Sequence, residues 1–199
     1  MEKRELLYEG ESKRIYTTHD PQLVILEYKD DATAVVNNRV NSFLLQMVAE
    51  YGVPTHYVKE QSDRGAVVVK LDVIPLEVII RNDCGTGAEP AIMFRYKKGD
   101  AALLDAVQAL ALGVASAYEI NRMMDLALRV NDVLSAYFER RNIELADIKL
   151  EFGRMMDGFI VLADEISLDT CTLCDAATHE NICGKDYNEI MYRIFGEQC

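Results

Sequence analysis

Three charged residues at alternate positions, Asp147, Lys149 and Glu151, are the first place where this sequence could do chemistry. In an extended strand they project from one face, while Ile148, Leu150 and Phe152 point the other way into a core. Past Asp157-Gly158 comes a second acidic pair, Asp164-Glu165. Carboxylate oxygens are hard ligands, and Mg²⁺ takes one or two of them together with nucleotide phosphates. The same pattern also suits an ordinary solvated strand face, and spacing alone leaves both readings open. Near the start, Gly10-Glu11-Ser12-Lys13 offers a glycine that admits positive φ, backbone N–H groups that can approach a phosphate, and a lysine as a point charge. It is neither a P-loop nor a dinucleotide fingerprint, so a plain turn is the alternative. Cys171, Cys174, His179 and Cys183 set four possible zinc ligands within thirteen positions. A structural Zn²⁺ is one reading, and small soft side chains filling space is the other. His19 and His56 sit beside turn residues and read as surface or packing groups. Cys84 lies in a loop.

The elements that must carry these residues are strand-rich first, helix-rich in the middle and strand-rich again late. Leu6 to Tyr8 and Arg14 to Thr17 flank the Gly10 turn as a hairpin, and Leu23 to Tyr28 is a third, mostly apolar strand. Asn41 is placed to cap a helix running to Glu50, with Gly52 and Pro54 beyond its end. Strands are expected over 66–71 and 76–80, joined through Asp72 to Pro75, and 81–90 reads as loop. Helices are expected over 100–112 and 117–140, the second with a methionine-rich apolar stripe typical of core. Strands over 147–152 and 159–163 bracket Asp157-Gly158 as a two-residue hairpin turn. A short amphipathic helix, Tyr187 to Phe195, follows. This order is α+β rather than alternating α/β.

Of the 199 residues half are hydrophobic and 27% charged, an ordinary globular mixture. The net charge of −12 argues against nucleic acid and anionic membrane as partners, and requires cations to be concentrated wherever an anionic small molecule binds. No export signal is evident at the N-terminus, so a cytoplasmic location is the expectation. Five cysteines in such a chain read as reduced thiols.

The stretch Asp147-Ile148-Lys149-Leu150-Glu151-Phe152-Gly153, with Asp164-Glu165-Ile166-Ser167 and Asp169 after it, resembles the signature of the SAICAR synthetase family. Tyr8 to Tyr16 resembles that family's opening glycine-rich hairpin. Val36-Asn37-Asn38 and Gly52-Val53-Pro54-Thr55-His56 are similar to its first helix and flanks. Pro75 to Asn82 resembles its hinge strand, and Val130-Asn131-Asp132 the helix before the signature. The resemblance implies a two-lobed α+β fold: an antiparallel β lobe with one helix over residues 1–80, an α+β body over 81–199, and ATP in the cleft between. It implies an ATP-dependent ligase of purine biosynthesis that joins L-aspartate to carboxyaminoimidazole ribotide through an acyl phosphate. By position, Gly10, Ser12 and Lys13 would hold ATP phosphates, with Glu77 and Val78 beside adenine. Glu151 and Asp164 would bind Mg²⁺. Lys149 and Asp147 would be catalytic, and Arg81, Thr86 and Asp169 would bind substrate. Relatives of this family often pair, so a homodimer belongs with these expectations.

The likeness lapses on the substrate side. Gly87-Ala88-Glu89 after Gly85-Thr86 lacks the family's basic pair, the family's His-Asp-Pro is absent after Lys98-Gly99-Asp100, Thr172 stands where the family has arginine, and Cys174 where it has tryptophan. Two alternatives therefore stay open at this point: a related ligase with a different acid or amine, and a nucleotide-binding homologue without ligase activity.

Overall fold

A computed structural model describes residues 1–29, 33–82, 89–99, 102–183 and 187–196 of the chain. Contacts divide it into two units, Met1–Ile74 with Glu151–Ser167, and Pro75–Leu150 with Leu168–Cys199.

In the first unit, β1 (Leu6–Glu9), β2 (Lys13–Thr17), β3 (Leu23–Tyr28), β4 (Tyr57–Ser62) and β5 (Gly65–Val69) form an antiparallel sheet in the order β1-β2-β3-β5-β4. Val24, Leu26, Tyr28, Ala66 and Val68 make its core with Ala34. That alanine opens α1 (Ala34–Glu50), which begins seven residues before the expected Asn41 cap, with Thr33 at its N-cap. Asparagines on the buried face hide the helical stripe in the sequence. Asn37, Asn38, Asn41 and Ser42 are all buried alongside Val36, Val40, Leu44, Leu45 and Val48. Buried amides need partners: Asn38 Nδ2 donates to the Ser62 carbonyl at 3.0 Å, and Asn41 Oδ1 accepts from the Ile166 backbone N–H at 2.9 Å. Helix α1 is thus tied by its polar side chains to segments far away in the chain. Gly52, at φ 80°, turns the chain out of the helix.

Glu151–Ser167 reaches this unit through backbone pairing. Thr55 and Leu162 form a parallel bridge. The His56 N–H donates to the Leu162 carbonyl, and the Leu162 N–H to that of Pro54, both at 2.9 Å. Strand β10 (Ile160–Ala163) pairs antiparallel with residues 151–154, the end of β9 (Ile143–Arg154). The loop between them is not a two-residue turn. Gly158, at φ 85°, donates to the Met155 carbonyl and Met155 to the Phe159 carbonyl, both at 2.9 Å, so the glycine supplies the left-handed residue of a three-residue hairpin loop. Gly153 has a different use: a Cβ there would lie 2.8 Å from the Leu71 Cβ. Gly153→Ala is expected to destabilise the protein by about 1–3 kcal/mol through this overpacking, read as a lowered denaturation midpoint. An unchanged midpoint would mean that Leu71 yields freely.

The second unit holds β6 (Asp72–Arg81, from Pro75 on), β7 (Ala91–Tyr96), β8 (Leu103–Leu104), β11 (Cys171–Asp175) and residues 143–150 of β9, in the order β9-β6-β7-β8 with β11 also on β9. Among the described residues three helices accompany them, α2 (Ala106–Ala111), α3 (Ala117–Glu139) and α4 (Tyr187–Phe195). The expected connection over 72–75 is part of the ten-residue strand β6, with Pro75 inside it. The expected helix over 100–112 is instead β8 followed by short α2. Asp105 fixes that start: its carboxylate accepts from the Gln108 N–H at 2.8 Å, and the Gln108 side chain accepts from the Asp105 N–H at 2.9 Å. Helix α3 buries Ile120, Met123, Leu126, Ala127, Val130, Leu134 and Phe138 along one face. No helix among the described residues is long and apolar enough to cross a membrane.

Candidate active site

Strand β2 sets Lys13 opposite Tyr28 of β3, with its side chain 10% exposed. Its Nζ donates to Asp164 Oδ1 at 2.6 Å and lies 2.5 Å from Glu165 Oε1. The Tyr28 hydroxyl donates to the other oxygen of Glu165 at 2.8 Å, and its ring centroid is 5.4 Å from the ammonium. Burial by itself lowers the Lys13 pKa; the two carboxylates outweigh it and hold the pKa above its ordinary value. One ammonium against two carboxylates leaves a net negative charge here. Glu165 is 6% exposed and holds the lysine, whereas Asp164, at 31%, is the more accessible of the two. Glu151, opposite Ala163 in the β9–β10 register, belongs to the same unit. Gly10 precedes this cluster and does not use the positive φ that glycine admits. Its missing side chain matters by proximity, since a Cβ would sit 3.1 Å from the Tyr8 ring. Ser12 is exposed, and its carbonyl accepts from the Lys29 N–H at 2.8 Å.

Asp164 has φ 54°, a left-handed conformation that aspartate tolerates better than most residues but that still needs support. His56 provides it. The imidazole is buried, and Nε2 is 3.0 Å from the Asp164 carbonyl oxygen. Burial chiefly lowers its pKa, to about 4, so at neutral pH the ring is uncharged and Nε2–H donates to that carbonyl. Sequence reading took His56 for a surface or packing group; only the pairing of Thr55 with Leu162 reveals that it fixes the acidic turn. The pKa is below that of an unfolded histidine, so the unfolded chain binds the proton more readily. Stability should fall as pH drops from about 6.5 to about 4, by roughly 3 kcal/mol from this group alone. His56→Gln, which retains an N–H donor, is expected to lose that portion of the acid dependence in denaturation curves measured from pH 7 to 4. Parallel curves for both proteins would remove the histidine from this role.

The second unit carries a cavity of about 380 Å³ lined by Arg81 and Ile79 of β6, Arg95, Leu103, Asp147 and Lys149 of β9, and Thr172 of β11. Along β9 the alternation is as expected, with Asp147 and Lys149 half-buried and Ile148, Leu150 and Phe152 fully buried. Thr172 lies opposite Asp147 in the β9–β11 register. Arg81 is exposed at the end of β6, and Asn82 after it is anchored on three sides. Its amide exchanges hydrogen bonds with that of Asn131 at 2.8 and 3.0 Å, donates to the Leu145 carbonyl at 2.7 Å, and its backbone N–H donates to Ala146 at 2.8 Å. Two separate sequence matches, Arg81-Asn82 and Asn131-Asp132, thus meet in one amide pair. Glu77 is ion-paired with Arg95 across the strands, and Val78 is fully buried. Asp169 lies on the exposed turn before β11 and does not line the cavity. Thr86 and Cys84 fall outside the described residues.

The four possible zinc ligands do not converge. Cys171 and Cys174 are buried on β11, and His179 Nδ1 faces Glu144 Oε2 at 2.8 Å. The Cys183 thiol donates to the Cys171 carbonyl at 3.4 Å, and burial chiefly raises its pKa, away from the thiolate that zinc takes. Among the described residues no group of three or more His, Cys, Asp or Glu side chains is set to hold a metal. These contacts are those of soft side chains packed individually.

The family model for SAICAR synthetase matches residues 6–89 and 85–193. The phosphoribosylaminoimidazole-succinocarboxamide synthase of Lachnoclostridium phytofermentans is 42% identical over 211 aligned positions, covering 92% of this chain and 89% of the relative. Among solved structures, that of the same-named enzyme from Ehrlichia chaffeensis superposes with a TM-score of 0.86 at 29% identity, covering 96% of this chain and 98% of that one. A type-2 SAICAR synthetase in complex with ADP gives a TM-score of 0.88 at 32% identity, covering 98% of this chain and 99% of that one.

Proposed function

The chain belongs to the SAICAR synthetase family, and from that premise we propose that it joins L-aspartate to carboxyaminoimidazole ribotide in an ATP-dependent amide-forming reaction of purine biosynthesis. The observation that carries this is the match over nearly the whole chain, with the matched signature strand bringing Asp147 and Lys149 to a cavity shared with Arg81.

Amide formation in water needs an activated carboxylate. The ribotide carboxylate attacks the γ-phosphorus of ATP, the bond to the β-phosphate oxygen breaks, and ADP leaves behind an acyl phosphate. The aspartate amine then attacks the acyl carbon, expels inorganic phosphate and loses a proton. Lys13, already cationic and poised by Asp164 and Glu165, is assigned to phosphate oxygens, where a fixed charge stabilises the moving phosphoryl group. Lys149 is assigned to the negative charge that develops at the acyl centre. Asp147, on the same strand face, is assigned to orient the amine and take up its proton. Arg81, backed by the Asn82–Asn131 pair, is assigned to an anionic group of the ribotide.

The residues around Lys13 also fit a Mg²⁺ ion. Such a site needs only one or two carboxylates beside nucleotide phosphates, and the cluster holds a net negative charge with Asp164 accessible. Asp164 and Glu151 would hold the ion, which when bound would neutralise charge on the triphosphate.

The test is ADP release from the protein with Mg²⁺, ATP, carboxyaminoimidazole ribotide and aspartate. Turnover that requires both aspartate and ribotide is expected. ADP release that needs another acid or amine would move the chain to a different substrate pair, and nucleotide binding without turnover on any pair would remove the ligase assignment.

A further inference from the structure

Arg95 is a cation of the cavity that the roles above leave without one. It stands on β7, opposite Glu77 of β6 and Leu103 of β8. It lines the same cavity as Arg81, Lys149, Asp147 and Thr172. Positions 77, 79 and 81 alternate along β6, so Glu77 shares a strand face with the lining residues Ile79 and Arg81.

We propose that Arg95 is a substrate-anchoring residue, binding the phosphate of the ribotide. The proposal rests on the ligase reading for the identity of that ligand. Three observations support it. The first is charge. Among the described residues of this face, Arg81, Arg95 and Lys149 stand against Asp147 and Glu77, three cations to two anions. Without Arg95 the count is two to two. In a chain of net charge −12, Arg95 decides whether the cavity attracts a dianion or is merely neutral. The second is geometry. Glu77 engages Nη2 of Arg95 across the strands, and a planar guanidinium carries five N–H donors in a fixed fork. The ion pair therefore orients the group and limits the entropy lost when it binds an anion. The third is the neighbour. Thr172, on β11, offers the same cavity a hydroxyl and no charge, so the chain supplies its third cation from β7.

The variant to measure is Arg95→Gln, which removes the charge and keeps an amide for Glu77. The expected result is a rise in KM for the ribotide of about 10- to 100-fold, the usual loss for one charge-assisted bond, with kcat and the KM for ATP held within about twofold. Thr172→Arg added to Arg95→Gln should restore much of the ribotide affinity, because both side chains open on one cavity. A residue that only braced the sheet would not be rescued from a different strand. Circular dichroism of both variants, with Arg95→Lys as a charge-retaining control, separates misfolding from lost binding.

A ribotide KM unchanged in Arg95→Gln overturns the proposal. So does a loss shared equally by all substrates that Thr172→Arg fails to rescue. If the unaltered protein shows no ribotide-dependent ADP release, the ligase reading fails instead. Calorimetry with ribose 5-phosphate then still tests the site: binding by the unaltered chain that disappears in Arg95→Gln retains Arg95 as a phosphate anchor, and equal binding by both removes it.

Discussion

Lys13→Met is expected to cut nucleotide turnover by orders of magnitude and to destabilise the fold at the same time. The methionine keeps the length of the side chain but removes the ammonium that pairs with both Asp164 and Glu165. Glu165 would then be a buried carboxylate that keeps the hydrogen bond from the Tyr28 hydroxyl but has lost its ammonium. Breaking a buried ion pair from one side costs about 3–5 kcal/mol, because the other charge is left without compensation. Loss of the phosphate contact should lower kcat by about 10²- to 10³-fold. Chemical denaturation and ATP-dependent turnover read the two effects separately. A variant as stable and as active as the parent would dissolve the cluster as a functional unit. The sign of the pH effect is also set. Because the folded-state pKa of Lys13 is raised, its contribution to stability is complete below the ordinary lysine value and is lost only as pH climbs through the folded value.

Asp164→Asn is expected to do the reverse, leaving the fold nearly intact while removing turnover. Asparagine accepts the left-handed conformation at φ 54° as readily as aspartate does. His56 donates to the backbone carbonyl, which the substitution retains. Lys13 keeps Glu165, so the net charge of the cluster falls from −1 to zero and its attraction for a divalent cation goes with it. Stability within about 1 kcal/mol of the parent and a fall in kcat of about 10³-fold are the expected results, the second measured across a Mg²⁺ titration. Asp164→Ala should add a stability loss of about 1 kcal/mol or more, since alanine in this backbone region is strained. Full activity in Asp164→Asn at ordinary Mg²⁺ would take this carboxylate out of metal binding.

These two substitutions differ in outcome because of contacts that sequence reading could not supply. Lys13 and Asp164 are separated by 151 positions. Each stood out alone, the lysine behind a glycine turn and the aspartate in an acidic pair, yet nothing in their spacing joins them. His56 was less visible still, as one histidine after a proline and a threonine. The bridge of Thr55 to Leu162 is what carries it to the Asp164 carbonyl. Arg95 went unremarked because an arginine in Ala91–Tyr96 reads as one solvated charge until β7 is seen beside β6.

Local pattern reported well wherever apolar periodicity was unbroken. Leu23–Tyr28, Tyr187–Phe195 and the alternating signature strand are elements whose side chains repeat at 2 or 3.6 residues, and the structure has them at those places. The pattern failed where polar groups are buried or where an edge strand is mostly exposed. Helix α1 conceals four polar residues in its core face. Strand β4 exposes most of its residues, Tyr57–Ser62, and so lacks the contrast that marks a strand.

By itself, then, the sequence determined which residues could bear charge and metal chemistry, which family their order resembles, and the elements whose periodicity is complete. Tertiary structure alone decided which charges face one another: that Lys13 is held by Asp164 and Glu165, that a neutral His56 fixes the acidic turn, and that Arg95 shares a cavity with Thr172. The reason is physical. Periodicity is written in neighbours a few residues apart, whereas an ion pair or a cavity is made by strands pairing across the length of the chain, whose register no local spacing encodes.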